Sequence, residues 1–578
     1  MRLTICSLAF SVLLFHLFPS KVTADDFPPI VQSDRGMVVC VNPEASDAGL
    51  AILKSGGNAV DAAIAVAFAL AVTFPEAGNI GGGGFMMVWP GNSAGSNDPK
   101  NAQPVCIEYR ETCPAAVGRD SFIKEFRQEG HHTVGVPGTV RGLALAHEKY
   151  GKLHWKNLIA PAIQLAREGF PVDAVLAAGL NRLNQQTQAF PEFRRVYGKA
   201  NQVPWKEGDL LVQPDLAATL TAIATDGPDA FYTGVIAQKL VAEMQAGGGY
   251  ISSEDLANYR ANIRQPVHTT YRNHDVYAPP PPSAGGTQLI ECLNILEQYD
   301  LSKSGPKSSR TAHLLAEAMR RAGADRVRHQ GDPAFTSVPL QLTTKEHAKR
   351  VSQSLRMDQA TRSEELAPDL KLSDEPPSTT HFSVVDGNGM AVANTYTLQN
   401  SYGSRVVVRG AGFLLNNEMT DFNWRPGVTS RDGRVGTEPN VMAPGKRMVS
   451  SQCPTFVARD GKLRLVTGSP GGRTIPSTVL CVVVNVIDFG MSVRDAVDAP
   501  RWHHQWFPDR LQFERLGDPA YATLMNELRQ MQHEFGNEVK QLGDGYRRQG
   551  DAHSILIENG KTFGASDWRR TRGKAAGW

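Results

Sequence analysis

Neither sign of charge is in excess: 60 basic and 58 acidic side chains nearly cancel over 578 residues, which removes the electrostatic footprint of a nucleic-acid or anionic-membrane partner. Cysteine is scarce. Seven occur, none at metal-ligand spacing, and Cys40, Cys106, Cys113, Cys292, Cys453 and Cys481 remain if Cys6 is lost with the N-terminus. That even set permits disulfides in an oxidising compartment, although a core of this size does not need them. The adjacent pairs His131-His132 and His503-His504 diverge in a strand and lie about a third of a turn apart in a helix, so no metal site is expected from them. Glycines recur over residues 78–84, but no Lys-Ser/Thr follows them. Close backbone packing is therefore expected there rather than a phosphate cradle. Internal repeats and low-complexity tracts are lacking.

Long apolar runs are also lacking, apart from residues 3–18. That run follows a single basic residue, Arg2, and precedes Val22-Thr-Ala24. It is short for a membrane span and fits a secretory signal with a small-residue cleavage site. Residues 1–24 are read as a signal peptide cleaved after Ala24 or near it, with export to a periplasm or the outside and no stable membrane association. An uncleaved signal anchor is the alternative.

What is present is enough apolar content, 41%, for a large core. Apolar residues recur at helical spacing over residues 45–53, 58–72, 139–149, 161–168, 214–225, 287–298 and 477–489. The prolines at 161 and 214 are expected in first turns, where they are tolerated. Strands are expected at 85–89, 404–415, 454–458 and 463–467, with a hairpin over 384–398 turned by Gly387-Asn388-Gly389. The basic stretch 319–329 reads as the solvated face of a helix. Such a mixture suits an α+β fold of two stacked sheets with helices outside.

One junction carries chemistry. The chain reads Pro376-Pro-Ser-Thr-Thr-His-Phe382, so a polar, proline-rich loop ends at Ser378 and a strand begins at Thr379. A threonine hydroxyl is a weak nucleophile and needs a base, and its own α-amine, with a pKa of about 7.7 to 8.0, can serve once the preceding peptide bond is cut. The same hydroxyl can make that cut by attacking the carbonyl of Ser378. On the local pattern alone, an ordinary strand start after a loop is the better reading.

Several motifs in one order add to this. Gly56-Gly-Asn-Ala-Val-Asp-Ala-Ala63, Gly81-Gly-Gly-Gly-Phe-Met86, Tyr109-Arg-Glu111 and Val134-Gly-Val-Pro-Gly-Thr139 resemble the large subunit of γ-glutamyltransferases. Thr379-Thr-His-Phe-Ser-Val384, Thr395-Tyr-Thr397, Leu414-Leu-Asn-Asn-Glu-Met-Thr-Asp-Phe422, Lys446-Arg-Met-Val-Ser-Ser451 and Thr467-Gly-Ser-Pro-Gly-Gly472 resemble the small subunit. The resemblance implies the four-layer αββα sandwich of N-terminal nucleophile hydrolases. It also implies self-cleavage between Ser378 and Thr379, giving a large subunit, 25–378, and a small catalytic subunit, 379–578, in one interwoven globule. The implied substrates are glutathione and other γ-glutamyl compounds, with water, amino acids or dipeptides as acceptors and no cofactor or metal.

Site roles follow by position. Thr379 matches the nucleophile and Thr397 the hydroxyl that assists it. Gly471 and Gly472 match the pair whose N–H groups hold the oxyanion. Arg110, Ser450 and Ser451 match the carboxylate-binding set, and Glu418, Asp421 and Gln399 the ammonium side. Two departures stand out: Gln399 occupies a place where the best-known members have asparagine, and Thr420 replaces the first of two consecutive aspartates. Residues 421–446 read as a long loop over the site, similar to the lid of some relatives, with Trp424 as its nearest aromatic. The alternatives are a same-fold acylase acting on glutaryl-β-lactams or poly-γ-glutamate and, more remotely, a non-catalytic exported binding protein.

Overall fold

The computed structural model describes residues 29–91, 103–122, 127–367, 379–424, 438–514, 520–535, 549–569 and 573–578. The signal segment 1–24, Ser378 and residues 425–437 of the expected lid lie outside the described residues. Two seven-stranded antiparallel sheets organise the chain. One runs in the order Lys574–Gly577, Gly36–Cys40, Thr380–Asp386, Ala391–Thr397, Gly83–Trp89, Val105–Glu108, Asn262–Arg264. The other runs Val31–Ser33, Lys561–Ala565, Ser554–Glu558, Lys462–Thr467, Thr455–Arg459, His274–Ala278, Val267–Tyr271.

Strand alternation builds the layers. In the first sheet Met37, Val39, Phe85, Met87 and Val385 pack against Phe456, Val466 and Ile555 of the second, while their neighbours Val38, Cys40, Met86, Val88 and Val384 face a helical layer. On the far side, Val457, Leu465 and Leu556 pack against the Ala284–Leu296, Ser309–His329 and Ile475–Ile487 helices. Side chains two apart share a face and immediate neighbours oppose, so each sheet has two apolar faces to cover. The result is the expected helix–sheet–sheet–helix sandwich.

The Ala59–Thr73 helix covers the first sheet. It is apolar all round and buried along its whole length, as a helix of that composition must be. Asn58 and Asp61 cap it reciprocally: Asp61 N donates to Asn58 Oδ1 at 2.9 Å and Asn58 N to Asp61 Oδ2 at 3.1 Å. Losing such a cap typically costs about 1 kcal/mol.

Three expectations change. Pro161 lies inside the Trp155–Glu168 helix, not in its first turn, because the amphipathic pattern begins earlier, at Trp155. Residues 404–415 form no sheet strand; the segment folds back on itself, with Val408 N donating to Phe413 O and Leu415 N to Val406 O. Residues 319–329 are not a solvated face. Arg320, Arg321 and Arg326 are buried, and the first two pair with Glu317, with Arg320 also reaching Asp509 at 3.2 Å. Asp509 is remote in sequence, which is why the charge run looked uncompensated. The six cysteines from Cys40 to Cys481 are all buried free thiols.

Candidate active site

Thr379 stands directly before the Thr380–Asp386 strand and is 6% exposed. Thr380 pairs with Tyr396 and His381 with Thr395, so the next step outward puts Thr379 across from Thr397. The two threonines line one cleft. Thr397 is held at both ends: Asn79 Nδ2 donates to its carbonyl at 2.9 Å, and its Oγ1 accepts from Gln399 N at 2.8 Å. Asn79 Oδ1 in turn accepts from Gly82 N and Thr139 Oγ1, at 2.9 and 2.8 Å. A Cβ on Gly82 would come within 2.0 Å of Thr397 O, so the glycine run serves close backbone approach, as its sequence suggested.

Arg110 forms the charged end of the cleft. Its Nη2 lies 2.6 Å from Asp421 Oδ2 and 2.7 Å from Glu418 Oε2, and its Nη1 lies 3.3 Å from Glu111 Oε2. Burial alone would lower the guanidinium's pKa, but Glu418, Glu111 and Asp421 outweigh it and hold Arg110 firmly charged. Burial pushes Glu111 up to about 7, against the pull of Arg110, and raises Glu418 in the same way. Of the three carboxylates, Asp421 is the one that lines the cleft. Gln399 Nε2 donates to its other oxygen at 2.5 Å. Glu418 is wholly buried behind Arg110 and does not itself line the cleft.

Two further segments line the cleft. Ser450 and Ser451 both line the cleft; Ser450 N donates to Pro282 O at 3.0 Å and Ser450 O accepts from Ala284 N at 2.8 Å, which ties this strip to the start of the Ala284–Leu296 helix. Gly472 also lines the cleft, and Gly471 precedes it. Their φ values are +57° and +130°, a conformation that favours glycine, and they lead into the Ile475–Ile487 helix, whose N-terminal end suits a developing negative charge.

Sequence reasoning passed over four residues here. Asn440 Nδ2 donates to Asp421 O at 2.7 Å and its Oδ1 accepts from Val449 N at 3.0 Å, so it fixes the loop that carries Asp421 to the strip that carries Ser450. Asn79 is the second. Arg326 and Arg473 line the cleft as well. Arg473 follows Gly472 directly, a position that was legible, whereas Arg326 was hidden in the stretch read as solvated.

A family model described as Gamma-glutamyltranspeptidase matches residues 45–578. The chain belongs to the gamma-glutamyltranspeptidase family. Similar to it is a glutathione hydrolase proenzyme of Escherichia coli (strain K12), 42% identical over 566 residues, covering 96% of this chain and 94% of that protein. The acylase ACY 1 proenzyme of Pseudomonas sp. (strain SE83) is 36% identical over 478 residues, covering 81% and 82%. Among solved structures, the cephalosporin acylase of Bacillus halodurans superposes with a TM-score of 0.82 at 27% identity and covers 99% of each chain. The proteins similar to this chain thus include one named a glutathione hydrolase and others named acylases.

Proposed function

We propose that the chain is a self-cleaving γ-glutamyltransferase that forms a γ-glutamyl ester on Thr379 and passes it to water or to an amino acid or peptide amine. The observation that carries this reading is the placement of Thr379 in one cleft with the Arg110–Asp421 pair. A γ-glutamyl head group is a zwitterion. Its carboxylate takes the planar fork of Arg110 with help from Ser450 and Ser451, and its ammonium takes Asp421 beside Gln399. Each internal charge exchanges one opposite partner for another, so no buried charge is left unpaired.

Maturation and turnover share one oxygen. Thr379 Oγ attacks the Ser378 carbonyl, the peptide nitrogen leaves as the Thr379 amine, and water releases the ester to give chains 25–378 and 379–578. The new amine then accepts the hydroxyl proton as Oγ attacks the γ-amide, while Thr397 orients it. The N–H groups of Gly471 and Gly472 hold the oxyanion, and the leaving amine takes the proton. Residues 1–24 direct export in this reading. None of the described helices is long and apolar enough to cross a membrane.

The second reading, an acylase for glutaryl-β-lactams or poly-γ-glutamate, draws on the acylase relatives and on Gln399 and Thr420. The two readings separate on the head group. Retention of Arg110, Glu418 and Asp421 predicts that free glutamate analogues compete with the donor and that glutarate, lacking the ammonium, competes far less. Equal competition would favour the acylase.

A further inference from the structure

Away from the cleft, three helices bring polar side chains to one point. Glu291 lies on the Ala284–Leu296 helix, Asp325 on the Ser309–His329 helix and His347 on the Lys345–Ser352 helix. One ligand atom from each lies within 4.8 Å of the other two. His347 Nε2 is 3.1 Å from Asp325 Oδ2 and 3.5 Å from Glu291 Oε1. The Glu291 side chain is 1% exposed, yet its Oε1 has no hydrogen-bond partner, an unfavourable state for a buried oxygen.

We propose that Glu291, Asp325 and His347 form a structural site for a divalent cation of zinc-like ligand preference, which pins the three helices together. Zinc bonds of about 2.0 to 2.2 Å in tetrahedral geometry space their ligand atoms about 3.3 to 3.6 Å apart, close to the two His347 separations. An ion at the centre satisfies the orphaned Glu291 oxygen. Asp325 is 22% exposed and His347 11%, which leaves one side open for entry and for a water ligand.

His347 Nδ1 faces Arg350 Nη2 at 3.2 Å, and His329 Nε2 lies 3.9 Å from Asp325 Oδ1. When Nε2 ligates, Nδ1 carries the proton and the exposed Arg350 swings outward. Asp325 adjoins Arg326 on the cleft wall, so the ion would also steady that wall.

The test is calorimetric titration of the chelator-treated, purified protein with zinc chloride, with melting temperature measured in parallel. The wild type is expected to bind one zinc per chain and to melt roughly 2 °C or more higher. E291Q and H347Q are each expected to bind at least tenfold more weakly. If H347Q fails to fold, D325N carries the same comparison. No saturable binding by the wild type, or variants that bind as tightly as it does, would overturn the proposal.

Discussion

Asp421 Oδ2 lies 2.6 Å from Arg110 Nη2, joining a residue of the first half of the chain to one of the second in a partly buried ion pair at the cleft wall. The pair makes the head-group end of the site a place of exchange. Arg110→Ala removes the cation and leaves Glu418 and Asp421 without it. The expected result is a rise in KM equivalent to roughly 2 to 5 kcal/mol of binding, or about 30-fold and more, with a smaller change in kcat. Steady-state kinetics on a γ-glutamyl anilide checks this, and an unchanged KM removes Arg110 from the site.

Asn79 reaches the reaction only through Thr397. Asn79→Ala leaves the carbonyl of Thr397 without its amide and is expected to lower kcat and slow maturation while KM stays within about twofold. A buried acceptor left unsatisfied also costs about 1 to 3 kcal/mol of stability. A denaturant midpoint and a time course of chain cleavage read the two effects separately. Loss of stability with normal cleavage would make Asn79 a packing residue only.

Gly472 carries a positive φ at the cleft wall. Gly472→Ala strains that turn and shifts its N–H away from the oxyanion. Complete loss of one such donor typically costs about 2.7 to 4 kcal/mol in the barrier, so a fall in kcat of about 10- to 100-fold is expected for partial loss, with KM little changed. A KM effect alone would place Gly472 in ground-state binding.

His503 is buried between Ser477 Oγ and Gln505 Oε1, each 2.8 Å from a ring nitrogen. Burial is the largest cause of its pKa falling to about 4. A base whose folded pKa is depressed stabilises the fold above its ordinary value of about 6.5 and loses that contribution as pH falls toward 4. The wild type should therefore lose about 2 kcal/mol relative to His503→Gln between pH 7 and pH 5. Denaturant titrations of both proteins at the two pH values give the difference, and a constant gap contradicts the buried neutral ring.

Much of this was legible in the sequence, for physical reasons that differ between elements. The hairpin after Thr379 could be read because alternation and a Gly-Asn-Gly turn are local signals. The 45–53 and 58–72 helices were legible from spacing. Residues 319–329 were not, since Arg320 pairs with Asp509 as well as with the nearby Glu317, and pairing between distant segments leaves no periodic trace. Asn79 and Asn440 were missed for the same reason: each acts by bridging backbone atoms that only the fold brings together. Residues 404–415 read as a strand because apolar content does not say whether a segment pairs with a sheet or with itself.

The central claim is that Thr379 becomes an N-terminus and then a nucleophile. Intact mass of the purified protein under denaturing conditions, with N-termini assigned, tests it most directly when wild type and Thr379→Ala are compared. The account predicts two chains for the wild type, one beginning at Thr379 and ending at Trp578, and a single unbroken, inactive chain for the variant. A wild type that is active as one unbroken chain, or a variant that matures and turns over substrate, would contradict it.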